Sequence, residues 1–495
     1  MVFPLPIGTV VGAAVVGIGL YLLLIAVYRA LFHPLRNYPG PFLNRITKLP
    51  VVYATIKGRQ PQYVASLFEK YGPVVRISPN NLGFIDAQAW KDIYGHRQSG
   101  RFEKAYEYYR QTPAGPINMI NADPVEHAAL RKWVAPSFSD RSMKEQEPMI
   151  GGYVDLLIDR LMQNCHGGHT AVNLREWYNF MTFDVIGKLA FSSDFGCLES
   201  SDYHPWVRMI TFFNRETVYL GELKRNGFSF LIKWLAKVGL GKNRLKHVEY
   251  TKEKLLKRIE SGKQPDLLEG LLHNKDGVEL CLKRLQSNSG LFIIAGSETT
   301  ATLLCGVTYL LLTHPESFKQ VVEEVRSSYT TSEEITLTSV AKLSYMLACL
   351  NETLRCYPPA PGWMPRRVVK GMGSVIINGN VVPEGTLVSV WQLPMYHSKY
   401  NFIGPEGYHP ERFFGDLKFA SDKLDVLQPF SIGPNNCIGR NLAYAEMRLI
   451  LARILFTFDL TLADDSRHWI KNQKIYMLWE KPILNVYMTP VPTEQ

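Results

Sequence analysis

Paired cysteines are missing from this sequence. Its seven cysteines, Cys165, Cys197, Cys281, Cys305, Cys349, Cys356 and Cys437, are odd in number and scattered, with no Cys-x-x-Cys pair. That spacing argues against a disulfide framework and a cysteine-rich zinc site, and it fits a reducing compartment. After residue 45 there is no Pro/Gly/Ser linker, charge block or internal repeat. Length alone, 495 residues, suggests about three domains, yet without a linker one large domain is the simpler reading. No local basic run or nucleic-acid motif accompanies the net charge of +10. The surplus therefore serves solubility, an anionic lipid surface or an acidic protein partner, and nucleic acid gains no support.

Charge of either sign is missing from residues 7–28, where Ile7, Val10, Val11, Ile18, Leu20 and the run 22–27 are apolar. At about 1.5 Å per residue this stretch spans roughly 33 Å, enough for a bilayer core. A cleaved signal peptide has a shorter apolar region and a small-residue cleavage site after it. Here Arg29, His33 and Arg36 follow, which holds the C-terminal side in the cytosol. The reading is a lumenal 1–6, a transmembrane signal anchor at 7–28, and a basic, proline-rich hinge at 29–45. Pro34, Pro39 and Pro41 stop the helix there and stiffen the exit from the membrane. A globular body follows over 46–495, and 46% hydrophobic residues are ample for its core.

Within the body, Val74-Val75-Arg76-Ile77 and Leu82-Gly83-Phe84-Ile85 flank Pro79-Asn80-Asn81 and predict a β-hairpin. Residues 101–121, with Tyr106, Tyr108, Tyr109, Pro113, Gly115 and Pro116, have no clean period and read as a loop. His127 and Arg131 lie four apart on a predicted helix and share a face, suited to carboxylates or simply solvated. Residues 145–285 are mostly helical, with breaks at Gly167-Gly168, Gly239-Leu240-Gly241 and Gly262. Residues 291–312 are apolar except at the centre, Ala295-Gly296-Ser297-Glu298-Thr299-Thr300. A second membrane span would bear Glu298 at its middle, at a cost of a few kcal/mol, so a buried core helix with a polar notch fits better. Ser374 to Asn378 and Val381-Val382, turned at Gly379, predict a strand pair.

The organising stretch is Phe430-Ser431-Ile432-Gly433-Pro434-Asn435-Asn436-Cys437-Ile438-Gly439. One cysteine sits in a glycine-broken turn just before a helix-periodic run, Leu442, Ala443, Met447, Ile450, Leu451, Ile454 and Leu455. A helix N-terminus favours a thiolate over a thiol. Glycines let backbone approach a flat, bulky group, and a soft anionic ligand beside a planar space suits a heme iron. The plainer alternative is a buried cysteine in a glycine loop.

The spacing Phe430, Gly433, Cys437, Gly439 resembles the heme-binding signature of the cytochrome P-450 family. The resemblance runs from about residue 34 to the end and includes three further motifs in order. Ala-Gly-x-Glu-Thr-Thr at 295–300 looks like the oxygen-activating motif, implying that Thr299 and Glu298 are catalytic groups that deliver protons. Glu352-Thr353-Leu354-Arg355 resembles the Glu-x-x-Arg motif, which joins an arginine of Tyr408-His409-Pro410-Glu411-Arg412-Phe413. A buried Glu352–Arg355–Arg412 cluster would be structural. His127, Arg131 and Arg366 match positions that hold heme propionates, with Phe430, Gly433 and Gly439 forming the cysteine loop. One departure stands out: Asn435 replaces an arginine that pairs with a propionate in most members.

The resemblance implies a mainly α fold with small β-sheets, heme b with Cys437 as axial thiolate, and a single-pass protein of the endoplasmic reticulum membrane with its catalytic domain cytosolic. It also implies dioxygen, NADPH-cytochrome P-450 reductase and a hydrophobic small substrate as partners. The aromatic segment 101–121, the helix 208–221 and residues 361–364 would border the pocket, and Arg440, Arg448 and Lys132 are a candidate basic face for the reductase. Segments such as Ala89-Trp90-Lys91-Asp92-Ile93-Tyr94-Gly95 resemble filamentous-fungal enzymes of secondary metabolism, the group that includes trichothecene hydroxylases. Hydroxylation is the expected reaction. The alternatives are ring closure, desaturation or epoxidation on the same cofactor, and a heme protein that binds or transfers electrons without oxygenation.

Overall fold

The computed structural model describes residues 7–96, 100–110, 116–274, 276–471 and 473–492. The expected N-terminal segment 1–6, together with Pro113 and Gly115 of the aromatic segment, lies outside the described residues.

The apolar helix Ile7–Val27 continues into a one-turn π-helix, Tyr28–Phe32, and ends before Pro34. None of its apolar window is buried, so it projects from the body as a candidate membrane anchor. Its base is tied down by arginines. The Arg29 side chain donates to Ile46 O at 2.7 Å, and the fully buried Arg76 donates to the carbonyls of Arg29 and Pro79.

Among the described residues the body is mainly helical, with four small sheets. The expected hairpin forms from Val74–Ser78 and Asn81–Phe84, with Val74 opposite Phe84. It opens a five-stranded sheet that continues through Leu387–Val390 and Arg366–Val368 to Phe102–Lys104. Alternate residues of these strands bury Val75, Ile77, Val368, Val388 and Val390 in a core separate from the larger helical one. The second expected strand pair is Val375–Ile377 with Asn380–Val382, turned at Gly379 with φ +74°.

The axis of the helical part is Leu282–Leu312, 31 residues long, with 72% of its apolar window buried. It is therefore a core helix. It begins nine residues earlier than its apolar run, because Lys283, Arg284, Gln286 and Ser287 hide the helical period at that end. It lies against Leu174–Phe191, a helix buried on nearly every face. Gly296 permits the contact: a Cβ there would sit 2.6 Å from Ile186 Cδ1. The close neighbour of Gly296 is thus a side chain of the next helix. Gly306 likewise admits the Tyr357 ring, 2.6 Å from its hypothetical Cβ.

Candidate functional site

The cysteine loop is held by its own backbone. Cys437 N–H donates to Phe430 O at 2.8 Å and Asn436 N–H to Gly433 O at 3.1 Å. The helix Arg440–Thr457 starts three residues after Cys437. Gly433 has φ +72°, and a Cβ on it would lie 2.0 Å from Tyr94 O, so only glycine fits. Gly439 differs: the nearest atom to a Cβ there is Phe138 Cε1 at 3.7 Å, so packing within the chain does not demand glycine.

The Cys437 side chain keeps accessible surface, although the chain packed around it desolvates its sulfur. Burial pushes its thiol above the ordinary value, outweighing a backbone hydrogen bond from Gly439 and the fields of Arg131 and Arg440. The expected preference of a helix N-terminus for the thiolate is thus opposed by burial of the sulfur. A metal has to displace the proton, as thiolate ligation elsewhere requires.

Two runs of contacts leave the cysteine loop, and the charges they carry both act on His127. Arg131, on the helix Pro124–Val134, donates to Asn436 O at 2.7 Å and also to the Asn436 side chain. One turn earlier on that helix is His127, which is buried. Its pKa is lowered to about 4 by burial and by the charges of Lys104, Arg131 and Arg366, so it is neutral at pH 7. Arg366, also buried, donates to Tyr109 Oη at 2.8 Å and stacks over Tyr94, 5.1 Å from the ring centroid. Tyr94 joins this second run to the loop, because its carbonyl packs on Gly433. Among the described residues neither Arg131 nor Arg366 has a carboxylate within ion-pair distance. Two arginines without acidic partners, a histidine and one accessible sulfur form a donor set that fits a metal-bearing dianion such as heme.

On the central helix, Thr299 Oγ1 donates to Ala295 O at 2.6 Å, one turn back. Glu298 is buried and accepts from Lys481 Nζ at 2.8 Å; the same ammonium reaches Thr302 Oγ1 at 2.8 Å. The two groups share no hydrogen bond among those described. Lys481 was absent from the sequence reading, since nothing local marks a lysine 183 residues away as the partner.

Glu352, Arg355 and Arg412 meet in the core, all three with no exposed side-chain surface. Glu352 Oε1 accepts from Arg355 Nη2 at 2.8 Å, Arg412 Nε at 3.2 Å and His409 N–H at 2.9 Å. Arg412 also pairs with Asp422, and Arg355 donates to the carbonyls of Tyr396, Pro405 and Gly407.

Glu446, nine residues after Cys437, is a buried acid the sequence reading passed over. Burial raises its pKa to about 8, partly offset by a hydrogen bond with Thr300 of the central helix. Beside the cysteine loop, Phe430, Arg440, Tyr444 and Arg448 line a cleft of about 530 Å³. Lys132 is not among its lining residues and instead pairs with Asp276 at 2.8 Å. Of the expected pocket border, Arg208 pairs with Asp202 in solvent, and Trp363 packs between Tyr108 and Trp391.

The sequence profile of the Cytochrome P450 family matches residues 39–486, so the chain belongs to the cytochrome P450 family. It is a monooxygenase of that heme-thiolate class. Similar proteins include cytochrome P450 monooxygenase tpeC of Talaromyces stipitatus, 45% identical over 95% of this chain and 93% of that protein. Trichothecene C-15 hydroxylase of Fusarium sporotrichioides is 42% identical over 96% of this chain and 97% of its own length. Cytochrome P450 monooxygenase prhB of Penicillium brasilianum is 41% identical over 94% and 95%. Membership carries with it dioxygen, a redox-partner reductase and a small-molecule substrate.

Proposed function

We propose that this chain is a membrane-anchored hydroxylase of a hydrophobic intermediate, terpenoid or polyketide, in fungal secondary metabolism. Heme b would be its cofactor, and Cys437 would supply the sulfur that holds the iron. The observation that carries this reading is the cluster of Cys437, Arg131, His127, Arg366, Tyr94 and Gly433. In it Arg131 and Arg366 hold the propionates by charge and His127 by hydrogen bonding. Gly439 leaves room for the cofactor, since no neighbour in the chain needs it to be glycine. When bound, the heme supplies dioxygen activation and hydrogen abstraction. The chain excludes water, orients the substrate and moves protons.

Proton delivery falls to Thr299 and Glu298. Each must first leave its present partner: Thr299 the Ala295 carbonyl, Glu298 the Lys481 ammonium. The pair is thus a gated relay, with Lys481 holding the carboxylate until the site is loaded. Electrons come from NADPH through NADPH-cytochrome P-450 reductase, docked at the cleft bearing Arg440 and Arg448. Residues 7–28 span the endoplasmic reticulum membrane once, 29–45 form the hinge, and the body from 46 onward is cytosolic. Exposed Phe42 of the hinge and Leu49, Tyr53, Phe230 and Trp234 of the body give apolar surface to lay on the bilayer.

Carbon monoxide binding to the reduced protein tests the ligation. A thiolate-type Soret band is expected, and Cys437→Ser abolishes it. Its absence in the wild-type chain refutes the reading. Labelled dioxygen with reductase, NADPH and extracts of the producing organism should place label in one product. Unlabelled oxidised product would point to desaturation or ring closure instead.

A further inference from the structure

Carboxylates are missing from the first 68 residues, which carry Arg29, Arg36, Arg45, Lys48, Lys57 and Arg59 and no Asp or Glu before Glu69. We propose that Arg29 and Arg45, at the membrane exit, form a headgroup site for an anionic phospholipid. They would bind the phosphate of a lipid such as phosphatidylinositol, which carries no cation of its own. The inference rests on the membrane-anchor reading above and names the lipid that reading leaves open.

Arg29 lies one residue beyond the apolar span 7–28, which places it at headgroup depth. Hydrogen bonds gather further arginines around it. Arg29 Nη1 donates to Ile46 O at 2.7 Å, next to Arg45, and Arg45 Nε donates to Gly40 O at 3.2 Å. The fully buried Arg76 donates to Arg29 O at 3.1 Å. Burial, then the charges of Arg45 and Arg29, lower the pKa of Arg76 to about 10, so both charges reach it. Burial and the charges of Arg76 and Arg29 also lower His33 to about 4, leaving it neutral at pH 7. Among the described residues no carboxylate lies within ion-pair distance of Arg29, Arg45 or Arg76. Glu222, whose field reaches Lys48, is already paired with Arg225. Like charges gathered at partly buried positions repel one another, and an anion placed among them relieves that repulsion.

Arg76 is satisfied by the chain, since it also donates to Pro79 O from Nε at 3.1 Å and from Nη2 at 2.8 Å. It braces the site and leaves the ligand to its neighbours. A guanidinium has five N–H donors, and among the described residues the chain takes one from Arg29 and one from Arg45. The remaining donors are planar forks matched to phosphate oxygens. Leu31, Phe32, Phe42 and Leu43, close in sequence to the two arginines, are each more than half exposed. They give acyl chains an apolar rim below the guanidiniums. A soluble phosphate uses the charges alone, whereas a lipid uses charges and rim together, so the lipid is the fitting source. Phosphatidylcholine brings its own cation to its phosphate and gains less.

The test is electron paramagnetic resonance of the full-length protein in phosphatidylcholine nanodiscs at low salt. The probe is phosphatidylinositol or phosphatidylcholine, spin-labelled on the acyl chain so that the headgroup is unaltered. Wild type should hold the inositol lipid about 10- to 30-fold more tightly, the range for two juxtamembrane arginines. Arg29→Gln/Arg45→Gln should abolish that preference. Lys57→Gln/Arg59→Gln removes equal charge from the same acid-free segment and should leave the preference intact. A wild type without preference overturns the proposal. So does an equal loss in the two double variants, which would mean diffuse attraction by net charge. Millimolar inorganic phosphate should leave the immobilised lipid in place; displacement would mark a site for soluble anions and overturn the lipid assignment. If Arg29→Gln/Arg45→Gln fails to fold, Arg45→Gln alone should cost about fivefold, and an undiminished preference there also overturns the proposal. A wild-type chain that does not insert into phosphatidylcholine nanodiscs sinks the anchor reading itself, a result separable from an absent lipid preference.

Discussion

Glu446→Gln should stabilise this protein, and by an amount that depends on pH. Glu446 is buried beside Thr300 and titrates near 8, against an ordinary value of 4.5. Between those values the folded chain holds the proton while the unfolded chain releases it. Stability therefore falls as pH rises from about 4.5 to about 8. At pH 7 that penalty is about 3 kcal/mol, growing to about 5 kcal/mol above pH 8 and vanishing below pH about 4. Glutamine has the same shape and can still bond Thr300, so it removes the titration without opening a cavity. Unfolding entropy is about 2.1 cal/mol/K per residue, or about 1 kcal/mol/K for the globular body, so the gain at pH 7 is about 3 °C in Tm. Thermal melts followed by circular dichroism at pH 5, 7 and 8.5 resolve such a shift. The wild type should melt progressively below the variant as pH rises. A variant that melts at or below wild type at pH 8.5, or an offset that does not change with pH, refutes the reasoning.

Gly433→Ala should sharply lower the fraction of protein with a thiolate-type carbon monoxide band. The new Cβ meets the Tyr94 carbonyl at 2.0 Å, and φ +72° adds about 1–2 kcal/mol of backbone strain; an undiminished band would show that the loop moves freely. Glu352→Gln removes the charge that Arg355 and Arg412 share, with an expected loss of about 3–5 kcal/mol in urea unfolding. A loss under about 1 kcal/mol would mean that the surrounding carbonyls suffice for Arg355. His247, buried and accepting from Trp206 Nε1 at 2.6 Å, has its pKa lowered to about 4 by burial first and Arg244 second. The unfolded chain binds that proton more readily, so stability should fall as pH drops from about 6.5 to about 4, by up to about 3 kcal/mol. His247→Gln should lose that acid sensitivity in melts across the same window.

How much of this was legible in the sequence follows from how far apart the partners are. The cysteine loop was readable because its logic is local: a residue forced to φ +72°, a backbone bond from Cys437 to Phe430, and a helix three residues on. The helix bearing His127 and Arg131 was readable for the same reason, with Asp123 accepting from Glu126 N–H as its cap. Local pattern failed where a residue's meaning is set by a distant neighbour. Gly296 stands in the notch as one small residue, and only the fold shows that Ile186 packs against it. Glu298 marked a polar notch, but whether it is a free acid or half of an ion pair depends on Lys481.

Lys104 shows this most clearly. In sequence it is one lysine in Phe102-Glu103-Lys104, beside an acid and followed by aromatics, with every mark of a solvated surface residue. Pairing with Arg366–Val368 gives it another role. The register that sets Glu103 against Arg367 must, one residue on, set Lys104 against Arg366 on the opposite face. Moving the repulsive pair off that face would take a one-residue slip, which would also turn Val368 out of the core. The hydrophobic pattern of the strand therefore fixes the register, and the register fixes the cationic pair. The chain's own acceptors take part of that charge, the Ala122 carbonyl for Lys104 and the Tyr109 hydroxyl for Arg366.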